Sequence, residues 1–221
     1  MGQIFVSCFS KSFVAAILSS IGFIVWSPAW AQPAATKFGT FCGSPVVEFE
    51  NDGRKIKLRE DFCFKDDKNR VWQVPKDYVV DGASIPQAFW SFIGGPLDGA
   101  YRNASIIHDF FCDRRTHDWR EVHLVFYKGM RAAGVGSRKA WVMYQAVNTF
   151  GPRWEKKIEI PKECKPGPDF SAEDCVINSE PVIVTYKNPL NKDSLDAFLS
   201  ELRKTGYSQE ATELESAVKL Q

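Results

Sequence analysis

The sequence has almost no net charge and very few histidines. Its 221 residues include 28 Lys and Arg, 27 Asp and Glu and three His, a formal net charge of +1. Such a balance gives no bulk field to attract nucleic acid or an anionic membrane, so we expect no nucleic-acid partner. The sequence also has no internal repeats or low-complexity tracts. Because 44% of the residues are hydrophobic, we expect a globular chain with one core and a small appendage.

A long hydrophobic run is also absent. The N-terminal apolar run, residues 13–26, is too short to span a bilayer comfortably. Lys11 precedes it, and Ala29-Trp30-Ala31 has the small-x-small pattern of a signal peptidase site. We predict that residues 1–31 are a signal peptide cleaved after Ala31. The mature chain is then exported, periplasmic or secreted, without a stable transmembrane anchor; an uncleaved N-terminal anchor is the alternative.

Cysteines are few, and the predicted mature chain holds an odd number of them. In an oxidising compartment such residues tend to pair, but five cannot all do so. Cys42 and Cys63 flank a predicted hairpin, and Cys164 and Cys175 flank a short loop rich in Pro and Gly. These two pairings leave Cys112 as the spare thiol.

The chain changes from strand patterns to helix patterns near Pro86. The segments "VVEFENDGRKIKL" and "FCFKDDKNRVWQV" alternate apolar and polar residues, the first around an Asn51-Asp52-Gly53 turn, and predict an antiparallel sheet of three to five strands. Three helices follow. We therefore predict an α+β domain over residues 32–153, with a small N-terminal antiparallel sheet and a three-helix core.

Capping residues mark the ends of these helices. Asp98 is the predicted start of a first helix that runs to about Cys112. Asp118, with Glu121 three residues later, is the predicted start of a second helix, which ends at Gly134. Ser137 is the predicted start of a third helix, which ends at Gly151-Pro152.

Residues 154–221 form a predicted C-terminal α/β extension. It has one strand-like run, "PVIVTY", and two short amphipathic helices, the first with Leu195, Phe198, Leu199 and Leu202 at helical spacing. It carries no His and no chemical motif, which favours a packing or protein-contact role.

All three histidines lie within residues 103–126. His108 lies on the apolar face of the first predicted helix, and His123 lies beside the apolar stripe of the second. Two antiparallel helices joined by a short turn would bring these two imidazoles together, while His117 at the turn is expected to be exposed. A catalytic interpretation requires that the two rings face a pocket open to solvent.

Three interpretations of this cluster remain open. A neutral His108 removes a proton from water, oriented by a carboxylate or by His123. Alternatively His108, Asp109 and His123, with Cys112 as a further candidate, bind a divalent metal ion, zinc or calcium, and leave a position for water. In the third, these groups satisfy one another in the core. Asp109 is about 100° around the helix from His108 and cannot hold that imidazole directly.

Two further residues are candidates for the same cleft. A loop carries Asp81 and Ser84 from the sheet to the helices, and a carboxylate there suits an imidazole or a cation. Equally, Ser84 can simply cap the helical turn that begins at Pro86. Cys112 is a ligand, a nucleophile or a quiet core thiol, and the quiet thiol is favoured because free cysteine is commonly buried and inert.

Several blocks resemble a known family. These are "DGASIP" (81–86), "FWSFIG" (89–94), "HDFF" (108–111), "REVHLVFYKGMRAAGVG" (120–136) and "YQAVNTFG" (144–151). In this order they resemble the domain of unknown function 1353 family, over about residues 45–151. That family is common in bacteriophages, prophages and bacterial chromosomes, and the resemblance implies no proven activity.

The His108-Asp109 pair is also similar to the His-Asp helix of prokaryotic phospholipases of the A2 type. That resemblance implies a His that polarises water and an Asp that helps to bind calcium. The second helix departs from the pattern, since His123 stands where an Asp is expected. A neutral imidazole does not stabilise a protonated partner as a carboxylate does, which favours bridging by a metal or water.

Two functions follow as hypotheses. The first is an exported hydrolase that uses His108, Asp109 and His123 on an envelope component such as a lipid ester. The second is a non-catalytic, phage-derived module that binds a protein or an envelope surface through its aromatic-rich face or its C-terminal extension.

Overall fold

The computed structural model describes residues 36–52, 55–82, 89–90, 94–95, 97, 99–158, 168 and 181–219, all within one compact unit, Gln32–Gln221. The predicted signal peptide and its cleavage site, Ser84, and the predicted Cys164–Cys175 bridge lie outside these residues. Among the helices that are described, none combines the length and the apolar character needed to cross a membrane.

Six short strands form the N-terminal part. They are β1 (Gly39–Phe41), β2 (Val47–Phe49), β3 (Ile56–Leu58), β4 (Phe62–Asp66), β5 (Val71–Val74) and β6 (Val79–Val80). They make two antiparallel three-stranded sheets, ordered β1-β4-β5 and β2-β3-β6, rather than the one sheet expected. The strand alternation identified the strands, but the short link between β3 and β4 moves the chain from one sheet to the other.

Both predicted hairpins are present. In the first, Val47 pairs with Leu58 and Phe49 with Ile56. In the second, Asp66 organises the turn, because its buried carboxylate accepts hydrogen bonds from the Arg70 backbone N–H (3.0 Å) and the Trp72 indole N–H (3.2 Å). Burial acts to raise the pKa of Asp66, but hydrogen bonds from Trp72, Arg70 and Lys68 outweigh it and hold the pKa below 3.8.

A disulfide joins Cys42 to Cys63, with Cα atoms 5.3 Å apart, as the flanked hairpin predicted. It ties the end of β1 to β4, where the Cys42 N–H also donates to the Cys63 carbonyl at 2.9 Å. Cys112 is a free, buried thiol.

Three helices follow, namely α1 (Arg102–Arg114), α2 (Trp119–Ala132) and α3 (Ser137–Phe150). The predicted Asp98 cap lies outside the described residues. A 3-10 turn, Gly99–Tyr101, comes directly before α1, and Tyr101 takes the N-cap position of α1. Asp118 caps α2 as predicted, accepting from the Arg120 backbone N–H at 2.8 Å. The Glu121 side chain instead pairs with Arg70 at 2.8 Å.

Helices α1 and α2 approach closely at Gly129. A Cβ atom built on Gly129 would lie 2.9 Å from the Ala104 Cβ and 3.5 Å from the Phe41 ring. Alanine has the higher intrinsic helix propensity by about 1 kcal/mol, so it is packing that requires glycine here. This close approach brings the facing side chains of α1 and α2 within contact distance.

The extension contains β7 (Arg153–Ile158) paired antiparallel with β8 (Pro181–Tyr186), then α4 (Lys192–Lys204) and α5 (Ser208–Lys219). The predicted strand and both helices are therefore present. Phe198 of α4 packs on Phe89 and Phe150 at centroid distances of 5.9 and 5.4 Å. The extension thus shares the apolar core of the helices.

Candidate functional site

The imidazoles of His108 and His123 meet between α1 and α2. Nε2 of His108 lies 2.9 Å from Nδ1 of His123, and their ring centroids are 5.1 Å apart. One of these nitrogens donates the shared proton to the other. The predicted approach of the two rings is confirmed.

Cys112 completes the cluster. It lies one helical turn after His108, and its Sγ is 3.5 Å from His108 Nε2. One ligand atom from each of His108, Cys112 and His123 lies within 4.8 Å of the others. We call these three residues the His-Cys-His cluster.

The cluster sits in an apolar environment. The Phe126 ring packs on His108 at 4.8 Å, and the Trp119 ring packs on His123 at 5.5 Å. Two guanidinium groups cover Trp119, those of Arg120 at 4.3 Å and Arg153 at 4.9 Å. This packing leaves both imidazoles with 0% exposure.

The condition that both rings face a pocket open to solvent is therefore not met. The apolar stripes that bring α1 and α2 together also close over the polar groups between them. The Nε2 atom of His123 is buried and makes no hydrogen bond of good geometry, although the Pro152 backbone lies near enough to act on this imidazole as an acceptor.

Burial sets the protonation of the cluster. It lowers the pKa of His108 well below 6.5, with a further contribution from His123. Burial likewise lowers the pKa of His123 to about 4, Arg153 adds to this, and the Pro152 backbone and Asp118 act in the opposite direction. Both imidazoles are thus neutral at pH 7, the form that binds metals. Burial raises the pKa of the Cys112 thiol well above its usual value.

Asp109 is not part of the cluster. Its Oδ2 accepts a hydrogen bond from the Gly82 N–H at 2.7 Å, on another side of α1. Burial first, and then the charge of Asp81, raise the pKa of Asp109 well above 3.8, while the Gly82 hydrogen bond acts the other way. The structure therefore separates His108 from Asp109, as their helical spacing implied, and places Asp81 near Asp109. Asp81 itself is exposed.

His117 is exposed, as expected. Its ring packs against Trp72 at 4.7 Å and Phe111 at 5.0 Å, and its carbonyl accepts a hydrogen bond from the Trp154 indole at 2.8 Å. It lies at the turn between α1 and α2 and shares no ligand set with the other two histidines.

The donor set suits a transition-metal ion. Tetrahedral zinc, with Zn–N bonds of about 2.05 Å and a Zn–S bond of about 2.3 Å, separates two nitrogens by about 3.3 Å and nitrogen from sulfur by about 3.5 Å. The observed Sγ–Nε2 distance of 3.5 Å already fits. The nitrogens, now 2.9 Å apart, would separate by about 0.4 Å. Calcium prefers oxygen ligands, and this cluster offers none.

Sequence reasoning ranked Asp109 above Cys112 as a ligand. The signal that identifies Cys112 is its spacing, since residues four apart lie on the same face of a helix and adjacent residues do not. Trp119, which closes the cluster, lies four residues before His123 on the apolar stripe of α2, a spacing that places the two side chains in contact.

Comparison with known proteins gives relatives but no activity. The family model described as "Protein of unknown function (DUF1353)" matches residues 56–147. Uncharacterized protein y4jT of Sinorhizobium fredii (strain NBRC 101917 / NGR234) is 47% identical over 156 residues, 69% of this chain and 46% of the relative. Uncharacterized protein y4iH of the same strain is 35% identical over 155 residues, 65% of this chain and 62% of the relative. The chain thus spans about half of the first relative and under two thirds of the second. No solved structure matches it.

Proposed function

Because residues 56–147 match the model of the family described as "Protein of unknown function (DUF1353)", which brings no activity with it, we propose a function from the site. The chain is an exported, non-catalytic module whose helical hairpin is fastened by a zinc ion on His108, Cys112 and His123. The observation that carries this proposal is that three metal-ligating side chains lie within 4.8 Å of one another and are all buried.

Donor chemistry favours zinc. Imidazole nitrogen and thiolate sulfur are the ligands zinc takes in proteins, and both imidazoles are neutral at pH 7. Binding displaces the thiol proton of Cys112, so part of the binding free energy is used to ionise a buried group. The ion would join α1 to α2 at the centre of the hairpin and stabilise the folded chain by mass action.

Two features support export. The N-terminal residues have the charge, apolar run and small-x-small site of a signal peptide. The Cys42–Cys63 disulfide is a bond that persists in oxidising compartments and is rare in the cytosol. An envelope component or another protein is then the partner to be sought.

Burial argues for the non-catalytic form. A substrate must reach the metal-bound water or the base that attacks it, and neither His108 nor His123 has any exposed surface. In this form the cluster has the role of a structural metal site, which contributes directly to folding stability.

A second candidate rests on the number of ligands. Structural zinc sites usually have four protein ligands, whereas catalytic sites have three and a water. The cluster supplies three among the residues that the structure describes. This count favours an exported hydrolase acting on an envelope component such as a lipid ester, with a bound zinc ion lowering the pKa of its water.

Elemental analysis of the purified mature chain tests the zinc proposal. We expect one zinc ion per chain in the parent and loss of the ion in Cys112→Ser and His123→Asn. His117→Asn is the matched control, because it removes an exposed imidazole from the same hairpin, and it should retain the ion. A parent chain that binds no zinc when the metal is supplied would contradict the proposal.

Chelation separates the two candidates. If the ion is structural, removing zinc should lower the unfolding temperature of the chain, and no enzymatic activity should be lost with the metal. For a hydrolase, a screen against ester, phosphoester and peptide substrates should find an activity that disappears on zinc removal while the chain stays folded. His108→Gln should then abolish that activity, and a folded variant with full activity would eliminate the catalytic candidate.

A further inference from the structure

A cavity lies beside the turn between α1 and α2. Its volume is about 440 Å³, and the first strand of the extension, β7, forms its other wall. The charged and titratable residues that line it are Arg115, His117, Asp118, Arg120, Glu155 and Lys156. Neither proposed function uses this cavity.

The cavity has a defined framework. Arg115 ends α1 in the left-handed backbone conformation (φ +52°), which costs a non-glycine residue about 1 kcal/mol, and its N–H bonds the Phe111 carbonyl at 2.9 Å. The Trp154 indole fixes the turn to β7 by donating to the His117 carbonyl at 2.8 Å. The N-terminus of the 14-residue helix α2 lies at the same place and adds a positive dipole end.

The positive charges in this cavity are only partly compensated. Asp118 is engaged by Arg120, through its backbone N–H at 2.8 Å and its guanidinium at 3.4 Å. Glu155 accepts from the Tyr186 hydroxyl at 3.1 Å and lies 3.9 Å from the Lys157 ammonium.

Arg115 and Lys156 are the uncompensated cations. Among the residues that the structure describes, neither has a carboxylate within ion-pair distance, and the Arg115 Nε is buried without a hydrogen-bond partner. Because this nitrogen has almost no accessible surface, an anion in the cavity can reach Arg115 only through the rest of its guanidinium, which makes no ion pair among the described residues.

We infer that this cavity binds the phosphate group of a phosphate ester. Phosphate carries several acceptor oxygens and matches guanidinium and ammonium donors that surround it, whereas a carboxylate is satisfied by one arginine. The volume exceeds that of a phosphate alone and leaves room for the group esterified to it. The inference deepens the proposed binding module by naming the chemistry of its ligand, and it does not depend on zinc.

Binding measurements with the mature, disulfide-bonded chain test this inference. The soluble probes are inorganic phosphate and glycerol 3-phosphate, and the membrane probes are phosphatidylcholine vesicles with and without phosphatidic acid. Binding to the soluble probes identifies a free phosphate ester, and binding only to vesicles with phosphatidic acid identifies a lipid headgroup. Failure of every probe overturns the inference.

Variants test the residues. The double variant Arg115→Asn, Lys156→Gln should bind at least about tenfold more weakly, and asparagine tolerates the left-handed conformation. The control Lys65→Gln, Lys68→Gln removes the same charge from an exposed hairpin elsewhere and should keep the parent affinity. An equal loss in both would mean attraction by overall charge and overturn the site. The zinc content of the same samples should not change in either variant. The zinc measurement therefore tests the zinc proposal independently of phosphate binding.

Discussion

Acid should destabilise the metal-free chain through the buried imidazoles. His123 has a pKa of about 4 in the folded protein, against an ordinary value of 6.5. Between these values the unfolded chain holds a proton on His123 that the folded chain excludes. The contribution of His123 to the free energy of unfolding is therefore fully present above pH 6.5, and it is lost as the pH falls towards 4. The difference corresponds to about 3 kcal/mol, and the lowered pKa of His108 acts in the same direction.

Buried carboxyl groups also make the stability depend on pH, so the effect of His123 must be measured as a difference between two chains. Asp109 has a raised pKa, so its folded form binds a proton that the unfolded form releases, and its stability contribution falls as the pH rises. Asp66, with a pKa below 3.8, affects stability only at lower pH. Both are common to the parent and to His123→Asn, which keeps an acceptor near the Nδ1 position but does not titrate. The quantity to measure is the difference in free energy of unfolding between these two chains.

Urea denaturation in the presence of a chelator, at pH values from about 7 to about 4, supplies this difference. The stability advantage of the parent should shrink by about 3 kcal/mol over the interval. His117→Asn should follow the parent, because this residue lies outside the buried imidazole pair. Parallel curves for the parent and His123→Asn would refute the neutral, buried imidazole pair.

Three other predictions concern the framework. Asp66→Asn should cost about 2–3 kcal/mol at pH 7 in urea denaturation, since it weakens charged hydrogen bonds, and the loss should shrink as the pH falls below 3.8 and through the lower pKa of the folded state; a pH-independent loss would contradict the charged role. Gly129→Ala should cost about 1–3 kcal/mol in thermal denaturation, and Ala104→Gly in the same chain should recover part of it, whereas additive losses would contradict the close approach. Replacing Cys42 and Cys63 together by serine should cost about 3 kcal/mol, from a sequence separation of 21, and unchanged stability in guanidinium would contradict the constraint.

The fold was predictable where its signals are local. Asp118 caps α2 because a side-chain oxygen reaches a backbone N–H two residues away, and Gly134 follows α2 with a φ of +86° that other residues adopt only at a cost. The turn that contains Asn51 and Asp52 joins β2 to β3, whose antiparallel register the strand alternation predicted.

The site was predictable only as far as helical geometry extends. Helical periodicity alone separated His108 from Asp109 and turned His108 and His123 towards each other. Whether His123 comes within ligand distance of His108 and Cys112 depends on the distance between α1 and α2, which Gly129 sets by its contact with Ala104.

The sequence by itself determined the α+β order of elements, the helix ends and the Cys42–Cys63 pairing, because these depend on residues near one another in the chain. Only the tertiary structure divided six strands into two sheets, closed Trp119 over His123 and placed Arg115 and Lys156 in the lining of one cavity. These outcomes depend on contacts between distant segments, and neither the periodicity of a helix nor the alternation of a strand specifies which surface will cover it.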